Sequence, residues 1–185
     1  MFPSLNLFLQ DPSNLTLNTR LSGKLEHILS RRFGVGIDVH TLQTRAQYDY
    51  LNRIGSMSIS GKSAGIFASL YRFVSQGNIA PIGPFQRFGI NYLRYELKDL
   101  DGRFFPDNRS VLPSGNLWKI SYTLGTQRVF AEYLVLNLSM QVAWVGTILQ
   151  SSWTPEERYL ASTVSSRMRG FYALNGQIGI GVLLF

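Results

Sequence analysis

The chain has 185 residues, a formal net charge of +7 and no cysteine. This fits one domain, spanning 1–185, and excludes disulfides and thiolate metal sites. No apolar run approaches the ~18 residues that a transmembrane helix requires. Charged residues are 16% of the chain, low against about 25% in soluble domains.

A short apolar-polar alternation over 3–9 gives a first strand. Residues 14–29 form the clearest period-two run: Leu15, Leu17, Leu21, Leu25 and Leu29 share one face, while Thr16, Arg20, Ser22, Lys24 and Glu26 share the other. That run far exceeds the roughly 5–6 residues of an ordinary strand. A tight turn at Ser30, Arg31 and Arg32 leads into Phe33, Val35, Ile37 and Val39, which alternate with Gly34, Gly36, Asp38 and His40. Residues 43–55 lose the pattern and are expected to be an exposed loop. The next strand covers 57–73, with its phase blurred by a bulge expected near Gly65. A turn follows at 75–84.

The strand over 85–97 carries Phe88, Ile90 and Tyr92 on one face and is expected to shift register near Leu93. Residues 100–116 form the longest polar connection. Trp118, Ile120, Tyr122 and Leu124 then alternate with Lys119, Ser121 and Thr123. A turn at 130–133 precedes Leu134, Leu136, Leu138, Met140, Val142 and Trp144, which share one face. Pro155 breaks the pattern within a loop over 150–164. The closing strand is expected over 165–185, ending on Phe185.

The count is eight strands, and long strands with one apolar face are what a tilted membrane barrel needs. The expected fold is therefore all-β: an eight-stranded antiparallel up-and-down transmembrane β-barrel. If the carboxy-terminus is periplasmic, the connections at 30–32, 75–84 and 130–133 fall on that side and the longer ones fall outside. Met1 to Asn6 show no basic stretch followed by an apolar one. Export therefore implies a leader, and part of the first strand, upstream of this sequence.

The run from Leu25 through Ser30, Arg31 and Arg32 to Asp38 resembles the first periplasmic hairpin of small bacterial outer-membrane β-barrels, especially those of Bacteroidota type. The stretch Gly77, Asn78, Ile79, Ala80, Pro81, Ile82, Gly83, Pro84, Phe85 resembles a turn of the same group, and a last strand ending in Phe185 resembles the sorting signal read by the barrel assembly machinery. The resemblance implies an eight-stranded barrel in the bacterial outer membrane. It implies no shared activity and carries no catalytic residues across.

A lumen of eight strands is filled by its own side chains. The expected inward charges are Arg20, Lys24, Glu26, Asp38, His40, Lys62, Arg87, Arg94, Glu96, Lys98 and Lys119. Buried charges must be paired, so a mutually satisfied polar core is the leading expectation; a small polar-ligand cavity or proton path near Glu26, Asp38 and His40 is the sharper alternative. His27 and His40 fall on opposite faces, and no carboxylate cluster has ligand spacing, so neither a metal nor another cofactor is expected. Ser22 or Ser30 near His27 lacks any motif marking a nucleophile. Trp118, Trp144, Tyr122, Tyr133, Phe130 and Phe85 suit a membrane-interface girdle rather than base stacking, so nucleic acid is not an expected partner.

The positive charge suits anionic lipopolysaccharide, with Arg103, Arg109, Arg158, Arg167 and Arg169 as contacts beside external loops. Gly34 with Gly36, and Gly176 with Gly179 and Gly181, are not phosphate loops, since no helix is expected to follow either. The expected role is non-enzymatic: a structural or accessory subunit of a larger outer-membrane complex. The alternatives are a narrow channel or binding barrel for a small polar or amphiphilic ligand, and a soluble lipocalin-like barrel whose apolar face points inward.

Overall fold

A computed structural model describes residues 2–9, 19–30, 32–50, 53–72, 82–101, 111–130, 133–148 and 154–183. The strands are β1 (Phe2–Leu9), β2 (Thr19–Ser30), β3 (Phe33–Tyr50), β4 (Arg53–Tyr71), β5 (Gly83–Asp99), β6 (Val111–Phe130), β7 (Leu134–Ile148) and β8 (Asn175–Val182), with one helix, α1 (Pro155–Ala173), between the last two. From β2 to β8 each strand pairs antiparallel with the next, so the expected all-β up-and-down meander is the architecture observed. β1 pairs with β2, and its residues Ser4 to Leu7 also lie in register with β8. Residues 14–18, Arg103, Arg109 and Phe185 lie outside the described residues, as does the Arg20 side chain.

Inward and outward positions alternate along the strands, but on β3 to β6 the polarity of the two faces exchanges partway. In the half nearer the β2–β3 and β6–β7 turns, the outer face is apolar. Ile37, Ile66, Ile90 and Ile120 occupy one cross-strand row and are 52, 67, 57 and 47% exposed. The next row toward the α1 end holds Val39, Ala64, Tyr92 and Trp118. One row further, the outer face turns polar at Thr41, Lys62, Arg94 and Asn116. It continues with Gln43, Arg45 and Gln47 on β3 and Glu96 and Lys98 on β5, all exposed.

The inner face does the opposite. Beside the apolar belt it carries Lys24, Glu26, Asp38, Ser69, Arg87, Asn91 and Lys119, all buried. Beyond the belt it carries Leu42, Ala46, Tyr48, Met57, Ile59, Leu93, Tyr95, Leu97, Leu117 and Val145, clustered against Leu160, Val164, Met168, Phe171 and Tyr172 of α1.

This exchange corrects several expectations. Residues 43–50 and 53–55 are strand rather than loop, because β3 continues to Tyr50 and β4 starts at Arg53; Gln43, Arg45 and Gln47 face outward while Thr44 is buried and Ala46 and Tyr48 join the cluster with α1. The pairing of β4 is continuous past Gly65, with no bulge. β5 keeps strict alternation through Leu93, and its register irregularity against β6 comes later, between Tyr95 and Leu97. What resembled phase slips are places where the chemistry of each face changes while the geometry does not.

α1 corrects the largest expectation, since a loop and the first part of the last strand are helical. Thr154 caps its amino-terminus: its Oγ1 accepts from the Glu157 amide at 3.3 Å, and Glu157 Oε2 accepts from the Thr154 amide at 2.8 Å. This is a reciprocal capping box with Pro155 in the first turn. Leu160, Ala161, Val164, Met168, Phe171 and Tyr172 form its buried stripe, at the spacing of one helix face. At the same end Tyr159 exchanges hydrogen bonds with the Asp49 backbone, and Tyr48 Oη donates to Asp99 at 3.2 Å. Gly115 lies opposite Tyr95; a Cβ there would collide with the ring, so the aromatic lies flat over a residue without a side chain.

Leu160 is fully buried in the α1 cluster. Leu160→Ala is expected to destabilise the fold by about 2–5 kcal/mol, measured as a shifted denaturant midpoint with an unchanged strand signal in circular dichroism.

Candidate functional site

The polar half of the interior holds two connected groups of side chains. In the first, Arg87 extends from β5 across β4 to β2. Its Nη2 donates to Glu26 Oε2 at 2.7 Å and its Nε to Ser69 Oγ at 2.9 Å. Tyr71 Oη donates to the other oxygen, Glu26 Oε1, at 2.8 Å. The guanidinium lies over the rings of Phe67 and Phe85, 4.5 and 4.9 Å from their centroids. A buried ion pair is tolerable only when its remaining polar atoms are also satisfied, and here both carboxylate oxygens are.

The second group lies one or two rows nearer α1. Asn91 Nδ2 donates to Asp38 Oδ2 at 3.2 Å, crossing the intervening strand above Gly65, which is paired with both residues. A Cβ on Gly65 would fall 2.5 Å from Asn91 Cγ. The glycine is thus the opening through which this bond passes. Asp38 Oδ1 faces His40 Nδ1 at 3.8 Å, and His40 Nε2 shares a hydrogen bond with Tyr172 Oη at 2.9 Å. The Lys119 ammonium lies 4.9 Å from the Tyr172 ring centroid, a cation–π distance. Tyr172 therefore joins the helix to the polar interior, with its ring in the apolar cluster and its hydroxyl among the charges. Beyond the belt, burial pushes the Tyr95 hydroxyl up to about 12, which keeps the phenol neutral.

Of the expected inward residues, the structure brings together Lys24, Glu26, Asp38, His40, Arg87 and Lys119. It does not place Arg94, Glu96, Lys62 or Lys98 with them. All four are exposed on the outer wall, because they lie past the level at which the faces exchange polarity. Phe85, expected at a lipid interface, points inward and is buried against Tyr71 and Arg87. Arg158, Arg167 and Arg169 lie on α1 rather than beside loops; Arg158 and Arg169 are exposed and Arg167 is half-buried.

Sequence reasoning missed Tyr71, Asn91 and Tyr172. The first two sit at the inward phase of their strands, two residues from Ser69 and four from Arg87, and could have been found by carrying the phase through. Tyr172 requires the helix to be recognised first. The signal for that was Thr154 followed three residues later by Glu157, with Pro155 between.

Among the described residues, the polar interior carries further side-chain hydrogen bonds. Lys24 Nζ donates to Gln177 at 3.4 Å and Gln141 Nε2 to Thr123 at 3.3 Å. A recess bounded by Lys24, Glu26, Arg87, Gln127 and Asn137 has room for about one water molecule. Among the described residues no group of three or more His, Asp or Glu side chains could hold a metal. Comparison with protein-family models, curated proteins and solved structures finds no match.

Two pairs of substitutions test this network. Arg87→Met strands a buried Glu26 and is expected to cost about 3–5 kcal/mol; adding Glu26→Gln should recover much of it, in a double-mutant denaturation cycle. Gly65→Ala should sever the Asn91–Asp38 bond and cost about 1–3 kcal/mol, while Asn91→Ala in the Gly65→Ala background should add little.

Proposed function

We propose that this chain is an eight-stranded transmembrane β-barrel of a bacterial outer membrane, non-enzymatic, serving as a structural or accessory subunit of a larger outer-membrane complex. The observation that carries this reading is the apolar belt with its sharp polar edge. Outward apolar positions run from Phe33 to Val39 on β3, Ala64 to Leu70 on β4, Phe88 to Tyr92 on β5, Trp118 to Leu124 on β6, Leu134 to Trp144 on β7 and Ile178 to Val182 on β8. A monomer in water rarely exposes a contiguous apolar patch beyond a few hundred Å², whereas a membrane barrel requires such a band about 25 Å tall. Aromatic rings contribute to it: Trp118 and Trp144 meet edge-on with ring centroids 4.3 Å apart, and the centroids of Phe88 and Tyr122 lie 4.8 Å apart.

The edge-joining pairs of β1 with β8 support closure, since a spanning sheet cannot leave an unpaired edge in lipid. The apolar outer wall weighs against a soluble lipocalin-like barrel, which needs its apolar face inside. The paired interior side chains, Glu26 with Arg87 and Tyr71 and Asp38 with Asn91, favour a structural lumen over a channel. Such a barrel acts through its outer wall or its α1 end, which favours a subunit role. Outer-membrane lipid, lipopolysaccharide and, during assembly, the barrel assembly machinery are the partners this reading names, with Arg158 and Arg169 on the exposed face of α1 as lipopolysaccharide contacts.

Membrane fractionation followed by sizing in mild detergent tests the reading. Recovery in the outer-membrane fraction, with other chains co-purifying, is the expected result; a water-soluble monomer would overturn it. Ile66→Arg, in the middle of the belt, is expected to lower folding stability in bilayers by about 2–4 kcal/mol.

A further inference from the structure

The correction of Arg94 and Lys62 from lumen to outer wall leaves a cluster of cations that neither the interior nor the belt uses. Lys62 on β4 and Arg94 on β5 are direct cross-strand partners, both exposed. Like charges in that relation repel. Neither forms an ion pair or hydrogen bond with another described residue. Lys98 lies four residues along the same face of β5, and Arg45 flanks it across Ser58. Against these four cations, Glu96 is the one carboxylate on this stretch of β3, β4 and β5 between the belt edge and Arg45.

The height of the pair matters as much as its charge. Lys62 and Arg94 occupy the first polar row beyond the belt, immediately above Ala64, Tyr92 and Trp118. In a membrane that is the headgroup level, with aromatic rings just below. Cross-strand Cβ atoms lie about 5 Å apart, so a single phosphate between the two side chains can accept from both, with the arginine fork offering two parallel donors. Exposed cations hold a free anion weakly, because water and salt screen them. A phosphate tethered to acyl chains is instead delivered at high effective concentration, and its chains lie along the belt.

We propose that Lys62 and Arg94 form a binding site for the phosphate headgroup of an anionic lipid in the leaflet on the α1 side, with Arg45 and Lys98 adding attractive field. The proposal rests on the membrane reading above.

Its test is native mass spectrometry of the full chain in neutral detergent micelles containing phosphatidic acid or, as the uncharged counterpart, diacylglycerol. Wild type should retain phosphatidic acid and not diacylglycerol. Lys62→Gln with Arg94→Gln should weaken retention about 100-fold, roughly tenfold for each charge-assisted hydrogen-bonding group removed. Arg128→Gln, an exposed cation at the opposite end of β6, should leave it unchanged. The swap Lys62→Arg with Arg94→Lys keeps both charges and should preserve binding, which guards against misfolding as the cause. Retention undiminished in the double glutamine variant overturns the site. Displacement of the lipid by millimolar inorganic phosphate overturns the lipid assignment in favour of a soluble anion. Phosphate binding by a chain that never enters membranes would sink the membrane reading and, with it, the lipid assignment, while leaving an anion site on the wall.

Discussion

Four neighbouring strands, β3 to β6, change polarity along each of their two faces while keeping their alternation, and that constraint organises the rest of the structure. Side chains alternate inward and outward with a fixed period of two, so a strand long enough to pass from an apolar environment into water cannot change phase. It changes composition instead. On β5, Phe88, Ile90 and Tyr92 give way to Arg94, Glu96 and Lys98 on the outer face, while Arg87 and Asn91 give way to Leu93, Tyr95 and Leu97 on the inner one. The exchange occurs in register on β3, β4, β5 and β6, which turns a set of local substitutions into one level across four strands.

Each half of the interior then meets its own requirement. Beside the belt, buried charge has to be paired and hydrogen-bonded, and the Glu26–Arg87–Tyr71–Ser69 group does this with hydrogen bonds of 2.7 to 2.9 Å. Beyond the belt, an apolar inner face would be open to water without an occupant. The stripe of α1 from Leu160 to Phe171 supplies one, and its capping box fixes where the helix begins. Tyr172 belongs to both halves, since its ring packs on Phe171 and its hydroxyl meets His40. Loosening α1 should therefore disturb the polar group as well as the apolar one.

The antiparallel meander was legible because Leu21, Ile37, Ile120 and Leu138 fall into alternating runs longer than the roughly 5–6 residues of an ordinary strand. The inward Lys24, Glu26, Asp38 and His40 followed from the same phase. Arg94 and Glu96 were misplaced because the polar face was assumed to be the inner one along the whole strand; that assumption holds only up to Tyr92. The same assumption made a loop of residues 43–55, whose Gln43, Arg45 and Gln47 are polar for the opposite reason. α1 was hidden by Pro155, which opens a helix when it follows a capping threonine and interrupts a strand elsewhere. The Asn91–Asp38 bond depends on an absence, the missing side chain of Gly65, and sequence periodicity carries no record of it.

The most direct test of the two-level wall uses the absence of cysteine from the chain, which permits single spin labels along one strand. Labels would be placed at Ser60→Cys, Lys62→Cys, Ala64→Cys, Ile66→Cys and Leu70→Cys on the outer face of β4 in bilayers. Collision rates would be measured with oxygen, which concentrates in lipid, and with a water-soluble nickel chelate. The account predicts chelate access at Ser60 and Lys62, oxygen access at Ile66 and Leu70, and a crossover at Ala64. Uniform access by the chelate along the whole strand would contradict it.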